Sequence, residues 1–524
     1  MKQIRFPLSK INRHLPAVFL LVFFLLIGWH IHRDYGLHWD SWSQYQIGKI
    51  NYQYIFQGDS HLLTYKDRYY GPFFELLLLF LTGSLPVREM FFAQHFITYC
   101  SFILGLCSFY ALVFRITQKS FLAISGMVFL FISPRIFADS FYNTKDIPFM
   151  SAFILAVLTL NILYTNLNWP SLFFHSVTTA MMITIRLQGV LIFALTFLVL
   201  IKIFYFENDR RDNRRKIIFL FAVYLLISFA LLVLFFPVLW QNPIRELFFG
   251  LQQLSRFPWT GGAVFYRGSY LDATALPWHY VPNWILITTP IIITGFFITG
   301  LTYLLIQLLK NPEKSIQEYF WVLVAFFWFT APYLSVLFLR SVLYDGWRHL
   351  FFIYPAYVLI AVFGFNYIFK QIIEVNTNRF QRIFLFGIIL LGLAEPILFI
   401  IQNHPFEFVY FNRIGGRDYQ KIKDQYEMDY WGLSYYDALK DLARLDERPE
   451  IPIKLDNTPG KLNLMMLPKE DAERFIYKGV LEKSDYFLTN YRWHPEEYDM
   501  EIFHSIKVRN ARINSIYLTN RQNP

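Results

Sequence analysis

The sequence predicts a mainly α protein, a polytopic bundle of about eleven membrane-spanning helices followed by a small soluble α/β domain. Three observations lead there. Of 524 residues, 55% are hydrophobic, 20% aromatic and only 16% charged, with a mean hydropathy of +0.34, a balance that a soluble domain of this length could not cover with polar surface. Apolar runs approaching or exceeding the ~20 residues needed to cross a hydrocarbon core recur as far as Gln402. Beyond that residue the composition turns polar and charged.

Taken in order, Lys2, Arg5, Lys10 and Arg13 precede a first apolar run at 15–29, which places the N-terminus in the cytoplasm. No small-residue cleavage site follows that run, so it reads as an uncleaved anchor. Residues 73–85 are apolar over only about 13 positions, a length typical of an interfacial segment. Charge agrees, because a span there would put Arg115, Lys119 and every later basic connection outside. Residues 30–89 are therefore expected as one external loop carrying an interfacial amphipathic helix.

Further spans are expected at 90–114, 120–134, 147–165, 170–185, 189–206, 217–237, 283–309, 317–340, 350–369 and 383–402. Their inside connections carry Arg115/Lys119, then Arg210, Arg211, Arg214, Arg215 and Lys216, then Lys310/Lys314, then Lys370, Arg379 and Arg382, with the 165–170 connection neutral. That pattern accounts for the formal charge of +10 as topology, so it gives no reason to expect a nucleic-acid partner. Left outside are the first loop, 135–146, a turn at Arg186, 238–282, 341–349 and the tail from 403. The functional surface should be external.

The tail reads as a soluble α/β domain, 403–524, after a membrane domain of 1–402. Ser434 and Asp437 resemble a capping box opening a helix to Leu445. Strand patterns follow at Ile451–Leu455, 486–491, Ile502–Val508 and 513–518. Cys100 and Cys107 are too far apart along one helix to bridge and read as inert core thiols. His95, His175 and Glu395 lie inside spans and read as hydrogen-bonded to neighbours. The run Phe326-Phe327-Trp328-Phe329 reads as lipid-facing or core. There is no zinc-type spacing, phosphate-cradling glycine loop or nucleophile elbow.

Chemistry is expected at the outer boundary. His38-Trp39-Asp40-Ser41-Trp42 follows the first span, and partial desolvation there would raise the Asp40 pKa and make it a better base toward a hydroxyl. The 135–146 loop gathers Arg135, Asp139, Asn143, Lys145 and Asp146 among aromatics, a set suited to a phosphate-bearing lipid and its sugar. Arg186 and Arg348-His349 sit at the outer ends of other spans, where planar guanidinium groups can converge on one phosphate.

These motifs resemble a known family. His38-Trp39-Asp40 with Tyr45 and Gly48-Lys49, Tyr70-Gly71-Pro72, and Phe141-Tyr142-Asn143-Thr144-Lys145-Asp146-Ile147-Pro148 are similar to the polytopic GT-C glycosyltransferases. The nearest group is the family-39-like one, which holds the protein O-mannosyltransferases and lipid A aminoarabinose transferases, and the match, to a bacterial member, covers residues 1 to about 402. The resemblance sets Asp40 at the family's first-loop Asp, with Ser41 in place of the usual Glu, and Asp146 at its second-loop acid. Tyr70 to Pro72 match the segment following the first loop's basic patch, here Lys66 and Arg68.

What the resemblance implies is a polyprenyl-phosphate sugar as donor and a lipid, glycan or protein as acceptor, at a bacterial inner membrane with the tail in the periplasm. In this reading Asp40 and Asp146 are catalytic, and Lys145, Arg186 and Arg348 hold the donor phosphate, with Lys66 and Arg68 as substitutes. Tyr70, Asp139, Asn143 and His349 face the donor or acceptor sugar. Asp40 and Asp146 could share a divalent metal, but no cofactor is required. The competing readings are a lipid-linked sugar flippase or carrier, and an inactive relative that only binds lipid-linked sugar.

Overall fold

The computed structural model describes residues 12–206, 214–255, 259, 262–374 and 379–519; Lys2, Arg5, Lys10, Arg210 and Arg211 lie outside them. Among the described residues eight helices are long and apolar enough to cross a membrane, or nine if one bent pair counts as a single span. The protein is a multi-pass membrane protein. The departures from the expected spans have local causes. Residues 170–185 form Trp169–Ile183, only 15 residues long and carrying buried His175, Ser176, Thr178 and Thr179. The first run is Leu15–Ile31, a helix of 17 residues at the short end for crossing.

Prolines redirect two other runs. Ser120–Phe131 ends, Ser133 is extended, and Pro134 opens Pro134–Tyr142 after a bend of 70°. The stretch read as a loop at 135–146 is therefore mostly a buried helix folded back into the protein. Residues 283–309 likewise divide at Thr289-Pro290 into Tyr280–Thr288 and Ile291–Lys310. The short apolar segment is Phe73–Thr82, preceded in the first loop by a second helix, Ser41–Gln57. The 238–282 connection holds the helix Pro243–Ser255 and a hairpin of β1 (Ala263–Tyr266) and β2 (Ser269–Asp272).

The tail carries a five-stranded mixed sheet. Its strands are β3 (Ile451–Leu455), β4 (Phe475–Tyr477), β5 (Tyr486–Thr489), β6 (Ile502–Val508) and β7 (Ala511–Leu518), in the order β4-β3-β5-β7-β6. The pairs β3–β4 and β3–β5 are parallel, whereas β5–β7 and β6–β7 are antiparallel. The three-residue β4 is too short to show alternation in the sequence. The helix Ser434–Leu445 forms as expected, but its cap differs. Asp429 accepts the N–H groups of Gly432, Leu433 and Ser434 (2.7, 3.1 and 3.0 Å), and the Ser434 hydroxyl donates to it instead of capping.

One contiguous core joins bundle and tail, running from Ala17 through the spans to Ile516. Polar ties cross the same boundary: Asn463 brackets Leu37, and His404 lies 2.9 Å from Asp34 and 2.6 Å from Glu407. Cys100 is half-buried and Cys107 exposed, beside a 55% exposed Leu104, so the pair lies on an outward flank of its helix and not in the core. His95, His175 and Glu395 are each hydrogen-bonded, to His32 O, to Thr159 and Thr196, and to Tyr410 respectively. In the 326–329 run, Trp328 is buried core.

Candidate functional site

The site is assembled at the helix ends that the tail covers. Asp40 is the N-cap residue of Ser41–Gln57 but makes no side-chain cap bond, which leaves its carboxylate for other partners. Its backbone N–H donates to His38 Nδ1 at 3.1 Å, so the other ring nitrogen, Nε2, donates to Tyr142 O at 2.9 Å. Burial pushes His38 down to about 4, and the ring acts as a neutral spacer between the two loops. Ser41 does not supply a second acid: its Oγ accepts from His38 N at 3.0 Å inside the turn.

Three spans open at this end, with Asp146, Leu187 and Arg348 as their first residues. The N-terminal ends of helices favour negative charge. Asn143 fixes the first. Its side-chain nitrogen donates to Asp139 Oδ1 (2.9 Å) and Asp146 Oδ2 (3.0 Å), while its oxygen accepts Asp146 N (2.9 Å). Arg186 NH1 pairs with Asp146, and Arg348 NH1 lies 3.4 Å from Asp146 and 3.8 Å from Asp40. Lys145 Nζ lies 3.4 Å from Asp40 and 4.8 Å from the centre of the Tyr70 ring.

Five of the residues singled out in the sequence, Asp40, Lys145, Asp146, Arg186 and Arg348, thus form one cluster, and Tyr70 and His349 border it. Asp139 and Asn143 are fully buried beneath it, where they orient Asp146 instead of facing open space. Lys66 is mostly exposed, and its ammonium lies 4.0 Å from Asp67. Arg68 stacks on its neighbour Tyr69, whose hydroxyl binds Glu246 at 2.7 Å. Neither cation pairs with the cluster's carboxylates: Lys66 projects into the open and Arg68 is held against Tyr69.

The Asp40 expectation is reversed. Burial does push its carboxyl up, but Lys145 and Arg348 together outweigh that and hold it below the usual carboxylate range. Lys145 is pushed down to about 8, chiefly by burial, with Asp40 acting in the opposite sense.

Other members had no clear sequence signal. Gln44, with its amide turned to satisfy both neighbours, accepts from Lys145 Nζ (3.2 Å) and donates to Glu75 Oε1 (3.0 Å), and Thr144 also donates to Glu75 (2.7 Å). Arg348 NH2 binds Asp345 at 3.1 Å, and its guanidinium lies over Trp431 of the tail at 4.5 Å. Trp431 Nε1 donates to Asp139 at 3.2 Å. The tail's Arg492 binds Asp345 at 2.7 Å. Asp345 falls in the outer stretch 341–349, but nothing in the sequence ties it, Trp431 or Arg492 to the cluster.

Beside the cluster is a cavity of about 230 Å³. Its lining is largely apolar, with Leu187, Leu191, Val336, Leu339, Leu343 and Phe352 among it, and Tyr70, Arg186, Tyr344 and His349 also line it. Within the cluster, Arg348 Nε and His349 Nδ1 have no hydrogen-bond partner among the described residues, leaving capacity for a ligand. The carboxylates that could share a metal instead share the Arg348 guanidinium, and Asp146 is also paired with Arg186. Among the described residues no group of three or more His, Cys, Asp or Glu side chains is arranged to hold a metal ion.

Fold and site together define a polytopic membrane protein with a C-terminal β region and a buried cluster of charged residues at the helix ends. No protein-family model matches the sequence, and no curated protein matches it. Among solved structures, the chain is similar to ArnT from Cupriavidus metallidurans in the apo state, with a TM-score of 0.51 over 97% of this chain and 98% of that one. It is similar also to ArnT bound to undecaprenyl phosphate, with a TM-score of 0.50 over 96% and 98%. Identity is 14% in both cases, so the likeness is one of fold.

Proposed function

We propose that the protein is a membrane glycosyltransferase that moves a sugar from a polyprenyl-phosphate donor to a lipid, glycan or protein acceptor outside the cytoplasm. The observation that carries this reading is the meeting of Lys145, Arg186 and Arg348 with Asp40 and Asp146 beside a largely apolar cavity that Arg186 itself lines. The apolar lining suits part of an isoprenoid chain, and the cations suit a phosphate. The fold's likeness to an ArnT solved with undecaprenyl phosphate supports the same donor class. Basic connections on the far side support a cytoplasmic N-terminus, an outward-facing site and a periplasmic tail at a bacterial inner membrane.

In this mechanism the donor phosphate draws the three cations toward itself. Asp40 then loses the charges that hold its pKa down, while burial still pushes it up, so donor binding turns a weak base into a better one. Asp40 removes the acceptor hydroxyl proton as the oxygen forms a bond to the anomeric carbon. The bond from that carbon to the phosphate oxygen breaks with inversion, and the polyprenyl phosphate leaves with its added charge stabilised by the cations. Asp146 keeps Arg186 and Arg348 aimed at that position.

The test is mass spectrometry of lipid-linked sugars and envelope glycans in cells with the wild-type protein, with Asp40→Asn, or with none. One polyprenyl-phosphate sugar should accumulate, and one glycan lose a residue, in both defective strains. If Asp40→Asn matches wild type while the deletion changes the glycans, the catalytic assignment fails and a carrier or binding role gains.

A further inference from the structure

We propose that the C-terminal region is a working part of the phosphate site: Arg492, acting through Asp345, sets the direction of the Arg348 guanidinium and is a positioning residue for the donor phosphate. The inference rests on the donor class proposed above. Arg348 has one planar fork and several claimants. NH1 lies between Asp40 and Asp146, NH2 is held by Asp345, and the plane rests on Trp431. The balance depends on how strongly Asp345 pulls.

Arg492 sets that pull. It takes Asp345 Oδ1 at 2.7 Å while Arg348 takes Oδ2 at 3.1 Å, so one carboxylate bridges two arginines. All three side chains are 5% exposed or less, which places the bridge in a medium where direction and distance count. Without Arg492, the whole Asp345 charge falls on Arg348 and draws NH2 toward it and NH1 away from Asp40 and Asp146. The phosphate would then meet a misaligned cation.

The backbone on both sides of the bridge is held in unfavourable conformations. Asp345 has φ +56°, and Tyr491 and Trp493, flanking Arg492, have φ +60° and +63°. Such conformations persist only where surrounding structure dictates them, and they gather at functional sites. The Arg492 loop is so dictated: the Tyr491 hydroxyl lies 2.6 Å from Ser515 Oγ and 2.8 Å from Tyr517 Oη on β7, and Lys423 Nζ lies 3.1 Å from the Tyr491 ring centre. Arg492 NH1 donates to Tyr430 O, and its guanidinium lies near Trp39 (5.2 Å) and Trp493 (4.9 Å), so the bridge is braced against the residue preceding Asp40. An ion pair serving only to fasten the tail would need no such link to Arg348.

The experiment titrates undecaprenyl phosphate into the full-length protein in nanodiscs, for wild type, Arg492→Met, Arg492→Lys, Asp345→Asn, Arg348→Gln and the double Arg492→Met/Arg348→Gln variant, with thermal unfolding midpoints alongside. The relay requires roughly tenfold weaker binding for Arg492→Met, as expected for loss of one ordered charge contact. It also requires partial recovery with Lys and no further loss when Arg492→Met is added to Arg348→Gln. Asp345→Asn, which keeps the side-chain shape, should weaken binding similarly and decides the matter if Arg492→Met does not fold. Lowered midpoints with unchanged affinity, or additive losses in the double variant, would overturn the relay and leave Arg492 a fastener. If the wild type does not bind the lipid, the donor reading itself fails, which is a different result from a wild type that binds and an Arg492 variant that binds equally well.

Discussion

In the proposed mechanism Asp40, Arg348 and Lys145 have separable roles at the scale of single residues. Asp40→Asn keeps shape and loses the base, so turnover should fall by about a hundred- to ten-thousand-fold with donor binding retained, as measured by single-turnover transfer. Arg348→Gln removes charge stabilisation from the leaving phosphate, and kcat should fall by about a hundred- to a thousand-fold. Lys145, pushed down to about 8 by burial, carries its charge below that pH and loses it above, so kcat/KM should fall on the alkaline side with an apparent pKa near 8. Lys145→Arg should move that limb to higher pH, because the guanidinium stays charged. An alkaline limb unmoved by this substitution would remove Lys145 from the phosphate site. The sequence exposes these residues because ionisable groups beside apolar runs are conspicuous. It hides Gln44 and Glu75, whose relation to Lys145 depends on two helices of the first loop lying side by side.

At the scale of elements, the cations are aimed by close helix contacts. The span Arg348–Ile372, which begins with the central arginine, packs on Ile291–Lys310 where Gly300 meets Gly364. A Cβ on Gly364 would lie 2.0 Å from Phe296 O, and one on Gly300 would lie 2.3 Å from Ile360 O, so neither has room for a side chain. Gly364→Val should therefore force the helices apart, lowering the unfolding midpoint and shifting Arg348, with weaker undecaprenyl phosphate binding. Gly71 has the same kind of contact with the turn before Arg186: its Cβ would lie 2.1 Å from Thr184 O. Gly71→Ala should destabilise by about 1–3 kcal/mol, read from thermal unfolding. Spans were legible from apolar length alone, whereas the bend at Pro134 and the break at Pro290 were not, since the apolar pattern continues around both. The strands Ile451–Leu455 and Ile502–Val508 were legible because their apolar positions belong to one local pattern. Lys66 and Arg68 were misplaced because proximity in sequence to Tyr70 says nothing about which side of a loop a long side chain follows.

For the whole molecule, the continuous core between bundle and tail means that the tail is not a detachable appendage. Trp431 and Arg492 come from it and touch, directly or through Asp345, the arginine at the centre of the site. This partnership was invisible in the sequence because residues 348, 431 and 492 are brought together only by the path of the chain over the end of the bundle. The proposed orientation rests on the basic connections on the opposite side. With Cys100 and Cys107 replaced, a membrane-impermeant thiol reagent acting on whole cells with a permeabilised outer membrane should label Glu482→Cys in the tail and spare Glu313→Cys. The reverse pattern would put the site on the cytoplasmic face.

The central claim, that a polyprenyl phosphate occupies the cation cluster, is tested most directly by native mass spectrometry of the protein taken from its own membrane. The account expects a retained ligand with the mass of a polyprenyl phosphate or its glycosylated form, present on wild type and Asp40→Asn and depleted on Arg348→Gln. Retention of ordinary phospholipid alone, or of the polyprenyl lipid equally on Arg348→Gln, would contradict it.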